Sequence, residues 1–197
     1  MDNTDGKPKS TAINILIHRL MNSNPFSQAD SARESRKALL SEYADMCINS
    51  LVTGVHASKE GVENPKLVDP DMTFIRKFTV DILLKALRPE NLPKASMLAR
   101  YSKIYNIVEC STKLLGDFES LVSSSMRDFD SLKYERYYIG REFLDKRFNN
   151  VLVSVISGLD VNFPYSKRVS DLVMKCFSLL GRIKTRFDDL FRDEGHS

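Results

Sequence analysis

The chain has no tryptophan, and its 197 residues include only 8 glycines, 7 prolines and 3 cysteines. Few glycines and prolines exclude a fold of many short strands, which needs such residues at each tight turn. Cys47, Cys110 and Cys176 are odd in number and far apart, so they do not form a disulfide framework. Each falls on an expected apolar helical face and reads as a small buried hydrophobe in a reducing compartment. No apolar run approaches the roughly 20 residues that cross a bilayer. The run at 12–20 is interrupted by Asn14, His18 and Arg19, which also disqualifies it as a secretory signal. Cytoplasmic or nuclear residence, with no membrane partner, is expected.

Catalytic patterns are missing as well. The glycines are isolated, so no phosphate-cradling loop and no Gly-x-Ser-x-Gly elbow exists. His18, His56 and His196 stand far from one another and from any cysteine at metal-ligand spacing. Ser123, Ser124 and Ser125 read as a polar helix end. The acidic pairs Asp69 and Asp71, and Asp128 and Asp130, read as helix caps. Asp188 and Asp189 lie near a helix C-terminus, where Arg186 and Arg192 offset them. The expectation is a non-enzymatic protein with no catalytic residue, cofactor, metal or small-molecule substrate.

What the sequence does contain is helical periodicity. Segment 1–9 is polar and reads as a flexible tail. A helix over 11–22, capped by Ser10, places Ile13, Leu16, Ile17 and Leu20 on one side before Asn24-Pro25 breaks it. Ser27 to Asp30 resembles a capping box and opens a helix to about Val52 with an apolar face of Ala32, Leu39, Tyr43, Met46, Cys47 and Leu51. Segment 10–56 forms an N-terminal helical part, and 57–68, with Gly61 and Pro65, a surface loop and lobe boundary.

Asp69-Pro70 starts a helix whose buried edge is Phe74, Ile75, Phe78, Ile82 and Leu87, ending at Arg88-Pro89. Pro93 opens the next, with Met97, Leu98, Tyr101, Ile104, Tyr105, Val108 and Leu115 inward and Gly116 as stop. A short helix over 118–126 precedes a long one over 131–157, within which Gly140 marks a kink or a close crossing. Its stretch 151–156 has strand propensity but continues the helical period from Phe148. Segment 158–164 is the last loop. The expected fold is all-α: a compact bundle of about seven helices with a main part over 69–192 and a frayed end at 193–197.

The last helix, capped by Ser166, carries the strongest pattern. Val169, Leu172, Val173, Cys176, Leu179, Leu180, Ile183, Phe187, Leu190 and Phe191 hold one face for about seven turns. Beside that stripe Arg168, Lys175, Arg182 and Arg186 project within roughly 20° of one line, a row about 27 Å long. A second basic cluster is Lys133, Arg136 and Arg141, interleaved with tyrosines and followed by Lys146 and Arg147; a third is Arg33, Arg36 and Lys37.

Two functions fit. The first is a helical binding or assembly protein that presents helix faces to a protein partner or to its own copies as a homo-oligomer; Leu179, Phe187, Leu190 and Phe191 are its candidate interface. The alternative is a sequence-independent RNA-binding protein whose basic rows track phosphates, in the manner of a viral accessory protein sequestering double-stranded RNA. A net charge of only +3, with Glu135, Glu142 and Asp145 among the cations, favours the first.

Overall fold

The computed structural model describes residues 11–27, 31–53, 70–116 and 131–192, the side chains of 131–137 and 186–192 excepted. Among these residues are seven α-helices and no strand. Helix α1, Ala12–Ile15, runs straight into a π-helical turn at Leu16–Leu20. The others are α2, Ala32–Thr53; α3, Pro70–Ala86; α4, Met97–Leu115; α5, Ser131–Asp145; α6, Phe148–Ser157; and α7, Ser166–Arg192. A 3-10 turn, Pro89–Asn91, lies between α3 and α4. The expected all-α class is the observed one, and 151–156 is indeed helical.

Several helix starts differ from those expected, each for a local reason. Thr11, not Ser10, caps α1 by accepting the Asn14 amide at 3.3 Å. Ser31, not Ser27, accepts the Glu34 amide at 3.2 Å and opens α2. Ser96 caps α4 in the same way, accepting from Ala99, so α4 begins four residues after Pro93. Ser166 is the first residue of α7 rather than its cap, and its hydroxyl donates to the Asp160 carbonyl. Gly116 closes α4 at φ 83, a conformation glycine adopts without strain.

The long helix expected over 131–157 is two helices. The chain breaks at Lys146 and Arg147, where Arg147 takes the left-handed conformation, φ 56 and ψ 42, between α5 and α6. Neither glycine nor proline marks this break, so periodicity alone ran through it.

Helix α4 is the centre of the bundle. Tyr101, Ile104, Ile107, Val108, Cys110, Leu114 and Leu115 are all buried, and α7 packs along them. Among its buried polar groups, Ser111 and Thr112 donate to the carbonyls of Ile107 and Val108 one turn back, and Asn106 donates to the distant Ser23 carbonyl at 2.9 Å. Helix α7 inserts Val169, Val173, Cys176, Leu179, Leu180 and Ile183 into the same core, as its one-sided pattern requires. Ile17, Ala44, Ile48 and Val52 belong to that core too, so the N-terminal helices share one hydrophobic interior with the rest.

Two other apolar assignments are corrected. Phe74 on α3 is 68% exposed, because α3 turns Val80, Leu83 and Leu84 inward, while Ile82 and, just past the helix end, Leu87 are buried as expected. Met97 and Leu98 lie in the first turn of α4, ahead of the packed region, and are exposed. The expected helix over 118–126 and the loop over 57–68 lie outside the described residues.

Candidate functional site

The most unusual surface belongs to α2. Of its expected apolar face, Leu39, Tyr43, Met46, Cys47 and Leu51 are all exposed, Tyr43 at 62% and Met46 at 56%. The buried face is Ser41, Ala44, Asp45, Ile48 and Val52. The sequence reading of this helix is therefore overturned, and Cys47 is not a buried hydrophobe.

The reason is that α2 carries two apolar arcs, and polar ties choose between them. Asp45 accepts from Lys113 Nζ of α4 at 2.6 Å, and the Val52 carbonyl accepts from Arg76 Nε of α3 at 3.2 Å. Both ties need the Ala44–Ile48–Val52 side inward. Small Ser41 and Ala44 also let α2 approach the core closely. The larger apolar arc is left outside.

That outer arc forms one wall of a groove of about 670 Å³. Tyr43, Met46, Cys47 and Leu51 face Ala12, Ile15 and Leu16 of the N-terminal helix. Covering a large apolar side chain completely stabilises by about 1.5–3 kcal/mol, so half-exposed residues in one continuous groove hold several kcal/mol of unused binding energy. Arg33 and Arg36 are also exposed and precede Leu40 and Tyr43 by seven residues each, two turns along the same side of α2. The groove itself is lined by apolar side chains and Ser50, and Arg33 and Arg36 lie beyond its Tyr43 end.

The residues singled out on α7 and α5 fare differently. Leu179, a candidate interface residue from its place on the stripe, is 7% exposed and packs in the core. Arg168 donates from Nη1 to the Pro25 carbonyl at 3.0 Å, and its guanidinium lies 5.0 Å from the Tyr105 ring centre and 5.6 Å from that of Phe26. It clamps the 24–27 turn onto the bundle. Lys175 and Arg182 stand exposed further along α7. Arg141 is exposed and lies 3.6 Å from Asp145. The side chains of Lys133, Arg136, Arg186, Phe187, Leu190 and Phe191 lie outside the described residues.

Among the described residues there is no group of three or more His, Cys, Asp or Glu arranged to hold a metal. None of the described helices is long and apolar enough to cross a membrane. Cys110 of α4 and Cys176 of α7 are buried. Burial, with the charge and hydrogen bond of Asp45, pushes the Cys110 thiol well up. Burial pushes that of Cys176 to about 12, against a hydrogen bond to Thr112 that pulls the other way.

The described residues form an all-α segment with an exposed apolar groove between α1 and α2. Comparison with known proteins places similar segments inside very large polypeptides. The probable E3 ubiquitin-protein ligase TOM1 of Eremothecium gossypii is 26% identical over 194 residues, 98% of this chain and 6% of its own. The E3 ubiquitin-protein ligase TOM1 of Saccharomyces cerevisiae is 21% identical over 96% of this chain and 6% of its own. The TOM1-like ligase of Neurospora crassa is 25% identical over 84% of this chain and 4% of its own. The chain spans about 6% of the length of the first two relatives. No family model matches the chain, and no solved structure matches it.

Proposed function

We propose that this chain is a non-catalytic protein-docking segment whose α1–α2 groove receives an amphipathic helix from a protein partner, within an assembly of the ubiquitin-ligase kind for which its relatives are named. The exposed apolar face of α2 carries the reading. Large apolar side chains gathered in one groove are a helix-in-groove recognition surface. Arg33 and Arg36 specify the occupant further: it is apolar along one face and acidic at the end that meets them.

A second copy of this chain fits less well. The described apolar face of α7 is used in the core, and α2 pairing antiparallel with itself sets Arg33 and Arg36 against Leu51 and Thr53, where α2 carries no acid beyond Asp45. The similarity to ligase segments, each a small part of a much longer chain, supports a docking role for this segment rather than a catalytic one.

Cys47 lines the groove and supplies the test, because the other two thiols are buried. A thiol reagent in mildly alkaline buffer modifies Cys47 first. A synthetic helix with a leucine stripe and glutamates at one end is expected to slow that modification severalfold, and Arg33→Glu with Arg36→Glu to relieve the slowing. No protection, or equal protection by the same helix carrying lysines, overturns the proposal. Protection that grows with the protein's own concentration and no peptide assigns the groove to a second copy and overturns it too.

A further inference from the structure

A second surface, unrelated to the α1–α2 groove, lies where α5 turns into α6 beside α7. A depression of about 530 Å³ opens there, lined by Arg141 and Asp145 of α5, Arg147 of the turn, Asn149 and Asn150 of α6, and Lys184 of α7. Three cations from three different elements thus line one hollow. A single carboxylate accompanies them, 3.6 Å from Arg141 Nε, so the lining carries a formal +2.

The backbone concentrates positive charge at the same place. Arg147 is the one non-glycine with positive φ among the described residues. A left-handed corner suits glycine or asparagine, and an arginine there is strained. The packing does not ask for it, since the side chain is exposed. What the arginine adds at this corner is a cation on the rim of the hollow. The same residue precedes α6, whose N-terminus has no side-chain cap. The partial positive charge of that helix end borders the hollow, next to the amide side chains of Asn149 and Asn150.

We infer that this corner binds a dianionic phosphate group, carried on a phosphorylated side chain of a protein partner. A phosphoserine or phosphothreonine brings a charge of about −1.5 to −2 and three strong acceptor oxygens, which matches the formal +2 and the planar donors of two arginines. A nucleic-acid track needs cations spread along a backbone of singly charged phosphates, whereas these line a single hollow. The volume accommodates the phosphate together with the side chain that bears it, within the usual range of about 300–1,000 Å³ for ligand sites.

Arg147→Gly is the decisive variant because it removes the cation while giving the backbone a residue at ease at φ 56. The full chain is titrated with three probes: a short phosphoserine peptide with neutral flanks, its unphosphorylated form, and inorganic phosphate. Amide shifts of Phe148 and Asn149 report the site. The phosphopeptide is expected to produce saturable shifts confined to this corner, and the unphosphorylated peptide none. Arg147→Gly and Lys184→Gln are each expected to weaken binding about tenfold or more while the thermal midpoint stays level or, for Arg147→Gly, rises. Tighter binding of the phosphopeptide than of inorganic phosphate supports the side-chain source, and equal binding assigns the site to the free anion. Absence of saturable shifts, affinity untouched by Arg147→Gly, or preference for a single-stranded RNA over the phosphopeptide overturns the inference.

Discussion

Ile183 packs directly over Gly140: a β-carbon on Gly140 would lie 2.8 Å from Ile183 Cγ2 and 3.0 Å from its Cδ1. Of the two roles foreseen for this glycine, a kink or a close crossing, the crossing is the real one, since α5 continues through position 140. The contact lets α5 and α7 approach without a side chain between them.

Gly140→Ala is therefore expected to destabilise by about 1–2 kcal/mol, overpacking outweighing the gain of about 1 kcal/mol in helix propensity. Cγ2 of a β-branched residue cannot swing aside, so the clash is not relieved by a rotamer change. Ile183→Ala alone leaves a cavity and costs about 2–4 kcal/mol. The double variant should cost less than the two single costs added, because the new methyl enters the space vacated. Gly181, with nothing within 4 Å of its virtual β-carbon, is the control: Gly181→Ala should stabilise by about 0.5–1 kcal/mol. Urea denaturation of the four variants checks all of this.

The two faces of α2 give a sharper contrast. Tyr43→Ser and Met46→Ser remove apolar groups already in water and should change stability by no more than about 0.5 kcal/mol. Ile48→Ala, on the fully buried side, should cost about 2–4 kcal/mol. If Met46→Ser proves as costly as Ile48→Ala in chemical denaturation, the orientation of α2 is wrong and the groove with it.

Where one apolar arc dominated a helix, the sequence was readable. The stripe on α7 packs as its spacing dictates, and 148–157 is helical despite its β-branched residues, because the tertiary core rewards that period. Helix α2 was not readable in this way. Its larger apolar arc lost to a smaller one fixed by Asp45–Lys113 and by Arg76 on the Val52 carbonyl, partners that only the folded chain brings near. The α5–α6 corner was hidden for a related reason. Arg141 and Arg147 stand in one visible basic cluster, but Lys184 joins them from α7, and an arginine gives no signal of a left-handed turn.

Arg168 has a structural task that its place in a basic row concealed. Arg168→Ala removes the bond to the Pro25 carbonyl and the contacts with Phe26 and Tyr105, so a loss of about 1–2 kcal/mol is expected. Lys175→Ala, seven residues on and exposed, should stay within about 0.5 kcal/mol. Equal thermal midpoints for the two variants would show that the clamp on the 24–27 turn contributes nothing.

The Asp45–Lys113 pair predicts an alkaline loss of stability. Burial pushes the Lys113 ammonium down, but the hydrogen bond and charge of Asp45, with Glu109 nearby, outweigh it and raise the group above the ordinary lysine value of 10.5. A cation whose folded pKa is raised binds its proton more tightly in the native state than in the unfolded one. Its contribution is therefore fully present below about pH 10.5 and disappears as pH climbs through the raised folded value. Lys113→Gln should lower stability at neutral pH by about 1–2 kcal/mol, a modest figure because the lysine is half exposed while Asp45 is not. Thermal melts of both proteins from neutral pH upward should keep a constant gap to about pH 10 and then converge, as the wild-type ammonium loses its charge. A gap that vanishes instead on the acid side of neutrality would place the stabilising titration on another group. A gap that never closes in alkali would mean that Lys113 acts through packing of its aliphatic stem rather than through its charge.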